Sequence, residues 1–379
     1  MQKNRNLFRL TRFILLKIPY VFRFFALFKP SKKRILIIKA DAIGDYVLFR
    51  NFIEILKQST KYRNYEIDLL GNEIWRDIAT THDGQYITKF FFTKANNLYY
   101  SPGAVFKLGL QLFGRSYEKV LNPTSTRTFI TDGLAALSGS SNLIGFESDT
   151  EGIEPKYKVK TDKFYKTLLP IPPLIHFEFA RNRYFFEQAL DQLISIRKQF
   201  IGANRTTKSG IIVFPGAGLK SRGWEAEKFA LLIKKLRQNT NEIIYLAGGK
   251  AEIPLCNYIM EQSQSASVVN ISGKTNLNEL IELVANSAMI ICNDSSAVHI
   301  AAAVDTPFVC IVGGGHFDRF VPYPEDIVKN GSFIYEKMDC YYCNWNCVFK
   351  VQSDESFPCI AGIDIEQVWQ ATQKYLPVG

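Results

Sequence analysis

Short apolar runs separated by helix-length segments recur along the first half of the chain. The run at residues 35–38 is bounded by turn signals, which is typical of a buried strand in a parallel sheet. Similar runs occupy residues 67–70, 90–92, 120–121 and 143–146. Because strands that alternate with helices indicate an α/β fold, we predict a first domain with a parallel sheet over residues 35–202.

A second alternation of strands and helices begins after the polar stretch 203–209. Its strand candidates are residues 211–214, 243–246, 268–271, 289–292 and 308–312. One helix between them opens with Asn276 and Glu279, the pair of a capping box. Five strands with helical crossovers predict a doubly wound domain over residues 203–362, which would bind its ligand beyond the carboxyl ends of the strands.

The N-terminal segment, residues 1–34, differs in charge from the rest of the chain, which we call the body. The chain has 46 Lys and Arg against 36 Asp and Glu, and residues 1–34 contain ten of the basic residues and no acid. Cations interrupt the apolar positions of this arm, so we expect neither a membrane-spanning helix nor a signal peptide. Aromatic residues mixed with cations favour a helix on an anionic membrane surface. A solvated or subunit-packing extension stays open, and the neutral body speaks against a nucleic-acid partner.

The loop after the strand at 211–214 has the composition of an anion site. It contains small residues and two cations, namely Gly216, Ala217, Gly218, Lys220 and Arg222. Small residues leave backbone N–H groups accessible, and the cations could stabilise a departing diphosphate without a metal. The alternative is a plain glycine-rich turn with solvated cations. A dinucleotide or P-loop enzyme is poorly supported, because the chain lacks a Gly-x-Gly-x-x-Gly after its first strand and a Walker lysine.

Two further loops carry polar residues at strand ends. Asp294, Ser295 and Ser296 precede a helix that contains His299, and they could either bind a ligand or only cap that helix. His299 could equally be a core histidine. In the first domain, Asp45 follows Gly44 and is a candidate general base, although it could instead cap its helix, and Asp41 competes for either role.

Three stretches together resemble glycosyltransferase family 9, the heptosyltransferases of lipopolysaccharide core assembly. They read KADAIGD at 39–45, PGAGLKSRGW at 215–224 and NDSSAVHIAAA at 293–303. The resemblance extends from about residue 34 to the C-terminus. It implies a GT-B fold, in which two Rossmann-like doubly wound domains face a central cleft and the last helix, within 363–379, crosses back to the first domain.

The resemblance also implies an activity and roles for single residues. The activity is inverting, metal-independent transfer of a heptose from ADP-heptose to a lipid-linked core saccharide, at the cytoplasmic face of the inner membrane and without a catalytic cofactor. Asp45 matches the general base and Lys39 a contact to the acceptor. The donor positions match Ala217, Gly218 and Arg222 near the diphosphate, Glu252 near the ribose, Thr275 near the adenine, and Asp294, Ser295, Ser296 and His299 in the donor loop. Gly216 and Lys220 are donor-binding candidates from the composition of the same loop.

Departures from the family pattern leave alternatives open. Asp41 and Ala42 replace a commoner Ser-Ser, and Ser295 and Ser296 replace Thr-Gly, so another nucleotide sugar could be the donor. A protein heptosyltransferase is a second alternative. A catalytically silent, membrane-associated assembly partner is a third alternative, from a different functional class.

Four of the seven cysteines lie close together in sequence, at Cys340, Cys343, Cys347 and Cys359. Four thiols within twenty residues suit a tetrahedral zinc or iron site with a structural role. Reduced structural thiols are the alternative. Some relatives that heptosylate autotransporter proteins resemble this chain in carrying a four-cysteine iron site.

Overall fold

The computed structural model describes residues 4–147, 149–206 and 208–377. The first three residues of the predicted arm and the last two of the predicted final segment therefore lie outside the described part. The chain divides into two units. The first contains residues 1–175 and 179–196, and the second contains residues 176–178 and 197–379. The predicted boundary at 202/203 is thus displaced by six residues from the main division, and three residues near 177 join the second unit.

The described part of the first unit is built on a six-stranded parallel sheet of order β3-β2-β1-β4-β5-β6. Its strands are β1 (Lys32–Lys39), β2 (Glu66–Asn72), β3 (Lys89–Thr93), β4 (Tyr117–Asn122), β5 (Leu143–Phe146) and β6 (Thr167–Leu169). The helices are α1 (Arg5–Ala26), α2 (Ile43–Val47), α3 (Asn51–Gln58), α4 (Arg76–Ile78), α5 (Ala95–Leu98), α6 (Pro102–Arg115), α7 (Phe129–Leu137), α8 (Pro155–Thr161) and α9 (Glu178–Leu190). The central β1 is buried on both faces, as its continuous apolar run predicts.

Helix α1 is part of the first unit and not a separate arm. It packs against α6 and α7, and it buries Ile14, Leu15, Leu16 and Phe22 in the core beneath them. The contact with α7 is close, because a Cβ added at Gly133 would lie 2.6 Å from Leu15. The opposite face of α1 stays exposed and carries aromatic and basic residues. Among the described residues, none of the helices combines the length and the apolar character needed to cross a bilayer.

The described part of the second unit also has a six-stranded parallel sheet, of order β12-β11-β10-β7-β8-β9. The strands are β7 (Ile211–Phe214), β8 (Ile244–Leu246), β9 (Val268–Asn270), β10 (Met289–Asn293), β11 (Phe308–Ile311) and β12 (Gly331–Ile334). Its helices are α10 (Ala226–Asn239), α11 (Ile253–Ser263), α12 (Leu277–Ala285), α13 (Ser296–Ala303), α14 (Pro358–Ala361) and α15 (Ile365–Gln373). The reversal of order between β7 and β10 makes a topological switch point at the centre of this sheet.

The last helix packs against elements of the second unit. Helix α15 contacts α10, β11 and β12, and its Val368 and Trp369 are buried in the core of the second sheet. Lys235 of α10 also lies over the Trp369 ring at 5.8 Å from the centroid. The crossing of this segment to the first domain stays a prediction.

Candidate active-site residues of the two units

The candidate base, Asp45, lies in the first turn of α2, just beyond the carboxyl end of β1. Its side chain is half-buried. The competing carboxylate, Asp41, is held by two partners: Lys39 Nζ lies 2.9 Å from its Oδ2, and Thr124 Oγ1 donates to the same oxygen at 2.8 Å. Asp41 is therefore engaged in the structure of the loop, and Asp45 stays the predicted base.

Lys39 lies in a different place from that expected of an acceptor contact. Its side chain is fully buried, and its ammonium lies 5.6 Å from the centre of the Phe49 ring as well as beside Asp41. A buried lysine needs such a partner, because an isolated charge inside the protein would be costly. In this structure Lys39 pairs with Asp41 and so holds the loop that carries it, and the charge of Lys39 does not reach solvent.

In the second unit, Asn293 links the two loops at the switch point. Its Nδ2 donates to the Pro215 carbonyl at 2.8 Å, and its Oδ1 accepts from the Trp224 backbone N–H at 3.0 Å. The predicted anion loop after β7 is thereby fixed at both ends to the end of β10. Within that loop, Lys220 and Arg222 lie on one turn of 3₁₀ helix, where Lys220 is exposed and Arg222 is half-buried. The bridging role of Asn293 was not predicted.

The loops after β7, β8 and β9 are adjacent, as predicted for the carboxyl edge of the sheet. Glu252 packs between two of them, because a Cβ at Gly216 would lie 2.6 Å from its Cγ and one at Gly248 would lie 2.8 Å from its Cβ. Its carboxylate accepts from the Gly249 backbone N–H at 2.8 Å. Gly273 N–H donates to the Gly248 carbonyl at 2.9 Å, which brings in the loop that carries the half-buried Thr275.

Asp294 lies in the second unit's candidate site and interacts electrostatically with residues of two other loops. It follows β10, and the next residue, Ser295, caps α13 by accepting from the Ala297 backbone N–H. Ser296 begins α13 and is half-buried. Burial raises the pKa of Asp294 to about 6, while electrostatic interactions with His316 and Arg222 act in the opposite direction. Loops after β7, β10 and β11 therefore converge here. His316 was missed in the sequence, although it directly follows a run of three glycines.

His299 is a core residue in this structure. It lies within α13 and is buried, with Nδ1 2.7 Å from Tyr323 Oη and its ring stacked on the tyrosine ring. Burial lowers the pKa of His299 to about 3, so the imidazole is neutral at physiological pH. This geometry matches the core-histidine alternative and not the donor contact that the family resemblance implied.

The four cysteines of the C-terminal segment line one small cavity, together with Tyr341 and Trp345. Burial raises the pKa of the Cys359 thiol, and the three neighbouring thiols add to the effect. Among the described residues, however, no group of three or more His, Cys, Asp and Glu side chains is arranged to hold a metal ion. The cysteines are thus brought together, and a metal at this position stays a prediction.

Residues 178–346 match the model of glycosyltransferase family 9 (heptosyltransferase). The chain is 27% identical to lipopolysaccharide heptosyltransferase 3 of Escherichia coli K12 over 168 residues, which are 44% of this chain and 46% of that protein. It is 30% identical to lipooligosaccharide heptosyltransferase 2 of Campylobacter jejuni over 132 residues, 34% of this chain and 40% of that protein. These alignments span less than half of each relative.

Solved structures extend the likeness to the whole fold. E. coli ADP-heptose lipopolysaccharide heptosyltransferase II superposes with a TM-score of 0.67 at 16% identity, covering 90% of this chain and 98% of the other. E. coli heptosyltransferase WaaC with ADP-2-deoxy-2-fluoro heptose gives 0.64 at 16% identity, covering 90% of this chain and all of the other. The predicted two-domain GT-B fold is therefore confirmed. The predicted resemblance to glycosyltransferase family 9 (heptosyltransferase) is supported by the family match over residues 178–346 and by the aligned heptosyltransferases.

Proposed function

We propose that this protein is an inverting glycosyltransferase that moves a heptose from ADP-heptose to a lipopolysaccharide core acceptor. The observation that carries the proposal is the convergence of Arg222, Asp294 and His316 with the glycine loops at the switch point of the second sheet. Ligands of doubly wound sheets bind at this place. The names of the aligned relatives, all heptosyltransferases, support the sugar and the acceptor class.

The second unit supplies the groups that a nucleoside-diphosphate donor needs. Arg222 and Lys220 carry full positive charges beside backbone N–H groups of the loop after β7. As the bond between the anomeric carbon and the diphosphate breaks, negative charge develops on the departing ADP. Cations positioned in advance at that charge stabilise the transition state more than the ground state, and this lowers the barrier.

The first unit supplies the base. In the proposed step, Asp45 accepts the proton of an acceptor hydroxyl while its oxygen attacks the anomeric carbon and ADP leaves from the opposite face. One carbon–oxygen bond forms, one breaks, and the configuration at the anomeric carbon inverts. Protonation of Asp41 in its place would leave the buried Lys39 charge without its counterion.

The test compares two equivalent substitutions in the first unit. Asp45→Asn should lower turnover of ADP-heptose with heptose-deficient lipopolysaccharide about 10²- to 10⁴-fold, the usual contribution of a general base, while ADP binding persists. Asp191→Asn makes the same chemical change at an exposed position with a φ of 58°, a conformation that asparagine tolerates, and should leave turnover unchanged. Near wild-type turnover of Asp45→Asn would exclude it as the base.

The donor itself can be identified by thermal shift. A ligand that binds only the native state raises the melting temperature by mass action. Of ADP, UDP, GDP and CDP, we expect ADP to give the largest shift, and ADP-heptose to exceed ADP. A larger shift with another nucleotide would replace the donor in this proposal while leaving the glycosyltransferase proposal in place.

We further propose that the protein works at the cytoplasmic surface of the inner membrane, attached through α1. The outer face of this helix exposes Phe13, Phe24 and Phe25, and the turn after it exposes Leu27 and Phe28. Large apolar side chains interleaved with cations suit the headgroup layer, where each cation adds about 1 kcal/mol of attraction to anionic lipid. Exposed Phe106 and Leu110 of α6, which packs against α1, add to the same apolar character.

Point substitutions test the membrane proposal better than removal of the arm, because α1 also forms part of the core. Phe25 and Phe28 are 55% and 75% exposed, so replacing both by Ser should leave folding intact. The double variant should float less with vesicles containing phosphatidylglycerol than the wild type does. Leu174→Ser, at a side chain 93% exposed elsewhere in the first unit, is the matched control. Equal flotation of both variants would contradict attachment through α1.

For the four cysteines we propose a structural zinc or iron ion, with no part in the chemistry. Four thiols lining one cavity are a suitable donor set for either metal. A solved iron-containing heptosyltransferase, the dodecameric TibC with ADP-D-β-D-heptose, has the same fold at a TM-score of 0.54 and 14% identity, covering 91% of this chain and 77% of the other. Protein purified without a histidine tag should contain one equivalent of metal, and Cys343→Ser should lose it while Cys256→Ala retains it. Sub-stoichiometric zinc and iron in the wild type would overturn the proposal.

A further inference from the structure

The segment from Tyr342 to Trp345, which contains Cys343, adopts an unusual backbone conformation. Tyr342, Asn344 and Trp345 have φ values of 66°, 49° and 61°, in the left-handed region that side chains other than glycine rarely adopt. Such conformations persist only where surrounding contacts enforce them, and they cluster at functional sites. The question is which contacts hold these residues and what they position.

The indole of Trp345 lies against two residues of the candidate donor site. The guanidinium carbon of Arg222 lies 4.4 Å from the ring centroid, a cation–π arrangement. At the edge of the ring, Trp345 Nε1 donates to His316 Nδ1 at 3.2 Å. Arg222 and His316 both interact electrostatically with Asp294, so a single side chain contacts two of the three groups that converge at the switch point.

The glycine run after β11 is shaped to receive this ring. A Cβ at Gly315 would lie 2.2 Å from the indole, and one at Gly313 would lie 2.8 Å from it, so side chains at these positions would displace the tryptophan. A Cβ at Gly314 would likewise lie 2.3 Å from the ring of Tyr341. The three glycines thus allow the segment to approach the strand end closely.

Backbone hydrogen bonds attach the cysteine segment to both donor loops. Asn344 N–H donates to the Gly315 carbonyl at 2.9 Å, which fixes the segment to the loop after β11. Phe357 N–H donates to the Ser221 carbonyl at 2.9 Å, and Ser356 Oγ donates to the Gly223 carbonyl at 2.6 Å, which fixes it to the loop after β7. The segment therefore connects two loops that belong to non-adjacent parts of the chain.

We propose that Trp345 is a positioning residue of the donor site, which holds the Arg222 guanidinium in place to receive a nucleoside diphosphate. This inference rests on the proposed function. Arginine loses considerable rotamer freedom when it grips a ligand, and a ring that already restricts it reduces that cost. Trp345 acts on the donor through Arg222, so removing the indole should matter only while the guanidinium is present.

A double-mutant cycle with ADP as the ligand tests this dependence. Isothermal titration of the full chain should show about tenfold weaker ADP binding for Trp345→Ala, within the range of a partly desolvated cation–π contact. Arg222→Ala should weaken binding at least as much. The double variant should bind no more weakly than Arg222→Ala alone, because the two effects belong to one interaction.

Trp369→Ala is the matched control. It removes another tryptophan of the second unit that has a cation over its ring, Lys235, but it lies in α15 on the core side of the sheet. At an equal loss of melting temperature, its ADP affinity should stay within twofold of the wild type. If Trp345→Ala does not fold, Trp345→Phe takes its place in the cycle; it keeps a ring beneath Arg222 and should weaken binding only about twofold to threefold.

The possible results distinguish failure of the role of Trp345 from failure of the proposed function on which it rests. Failure of the wild type to bind ADP, UDP, GDP or CDP would overturn the proposed donor site as a whole. Wild-type binding with fully multiplicative effects of the two substitutions would overturn only the role of Trp345, since independent effects would show that the indole does not act through Arg222. An equal loss of affinity in Trp369→Ala would also overturn it, as a general packing effect.

Discussion

Asp294→Asn should make the second unit more stable at neutral pH, and the gain should disappear in acid. Burial raises the pKa of Asp294 from 3.8 to about 6 in the folded protein. Between these values the unfolded chain has lost the carboxyl proton and the folded chain still holds it. The free energy of unfolding therefore falls as the pH rises from about 4 to 6, and above 6 the folded protein bears the full cost of a poorly solvated carboxylate.

The size of the effect follows from the difference between the two pKa values. At 1.36 kcal/mol for each pKa unit, a rise from 3.8 to about 6 corresponds to about 3 kcal/mol. Asp294 retains some contact with solvent, which screens its charge, so we expect about 1–3 kcal/mol. Asparagine has nearly the same shape and never ionises, so the variant should avoid this cost.

The assay is urea denaturation between pH 4.5 and 7.5, followed by tryptophan fluorescence. Three of the four tryptophans lie in the second unit, so the signal reports mainly on the unit that contains Asp294. His299 has the opposite pH dependence, because its pKa is lowered from 6.5 to about 3, and it flattens the wild-type curve. Subtracting wild type from variant at each pH cancels its contribution. A stability difference that does not change between pH 4.5 and 7.5 would refute the reasoning.

Three other substitutions test separate parts of the structure. In the wild type, the free energy of unfolding should fall by about 3–5 kcal/mol as the pH drops from 6.5 to 3, because His299 is protonated only in the unfolded chain. His299→Gln should keep a polar contact in the core and abolish this pH dependence, which acid unfolding curves measure. Leu15→Ala should destabilise the first unit by about 2–5 kcal/mol, because it leaves a cavity against Gly133 of α7; equal melting temperatures would show that α1 is not docked. Gly315→Ala should lower the melting temperature and weaken ADP binding, because its Cβ would meet an indole ring at 2.2 Å, whereas Gly202→Ala meets nothing within 4 Å and should be tolerated.

Most of the fold could be predicted from the pattern of apolar runs. The strands that escaped prediction are β6 and β12, and both lie at the edge of their sheets. Edge strands are covered on fewer sides, and these two are only partly buried, so they lack the continuous apolar run that identifies a central parallel strand. The apolar stripe of α15 likewise predicts that this helix packs, but not on which sheet.

The candidate site was predicted less completely than the fold. A family resemblance indicates which position in the chain matches a functional residue, but it does not indicate whether the side chain at that position is buried. Lys39 and His299 match family positions, yet both side chains are buried and engaged with neighbours in the interior. Conversely, His316 and Trp345 reach Arg222 and Asp294 only through the convergence of strand ends. The one signal for them in the sequence was the glycine run at the end of a predicted strand, which indicates close approach of another part of the chain.

The structure shows what holds one of the two carboxylates that the sequence left in competition. A general base must be able to exchange its proton with a substrate hydroxyl, and a carboxylate that already neutralises a buried ammonium resists protonation. Asp41 neutralises Lys39 and accepts from Thr124 on the same oxygen, so protonating it would leave the buried Lys39 charge without its counterion. Asp45 lies one turn further on, within α2, and stays the predicted base. Lys39 and Asp41 are therefore best understood as the fixed support of the loop that presents Asp45.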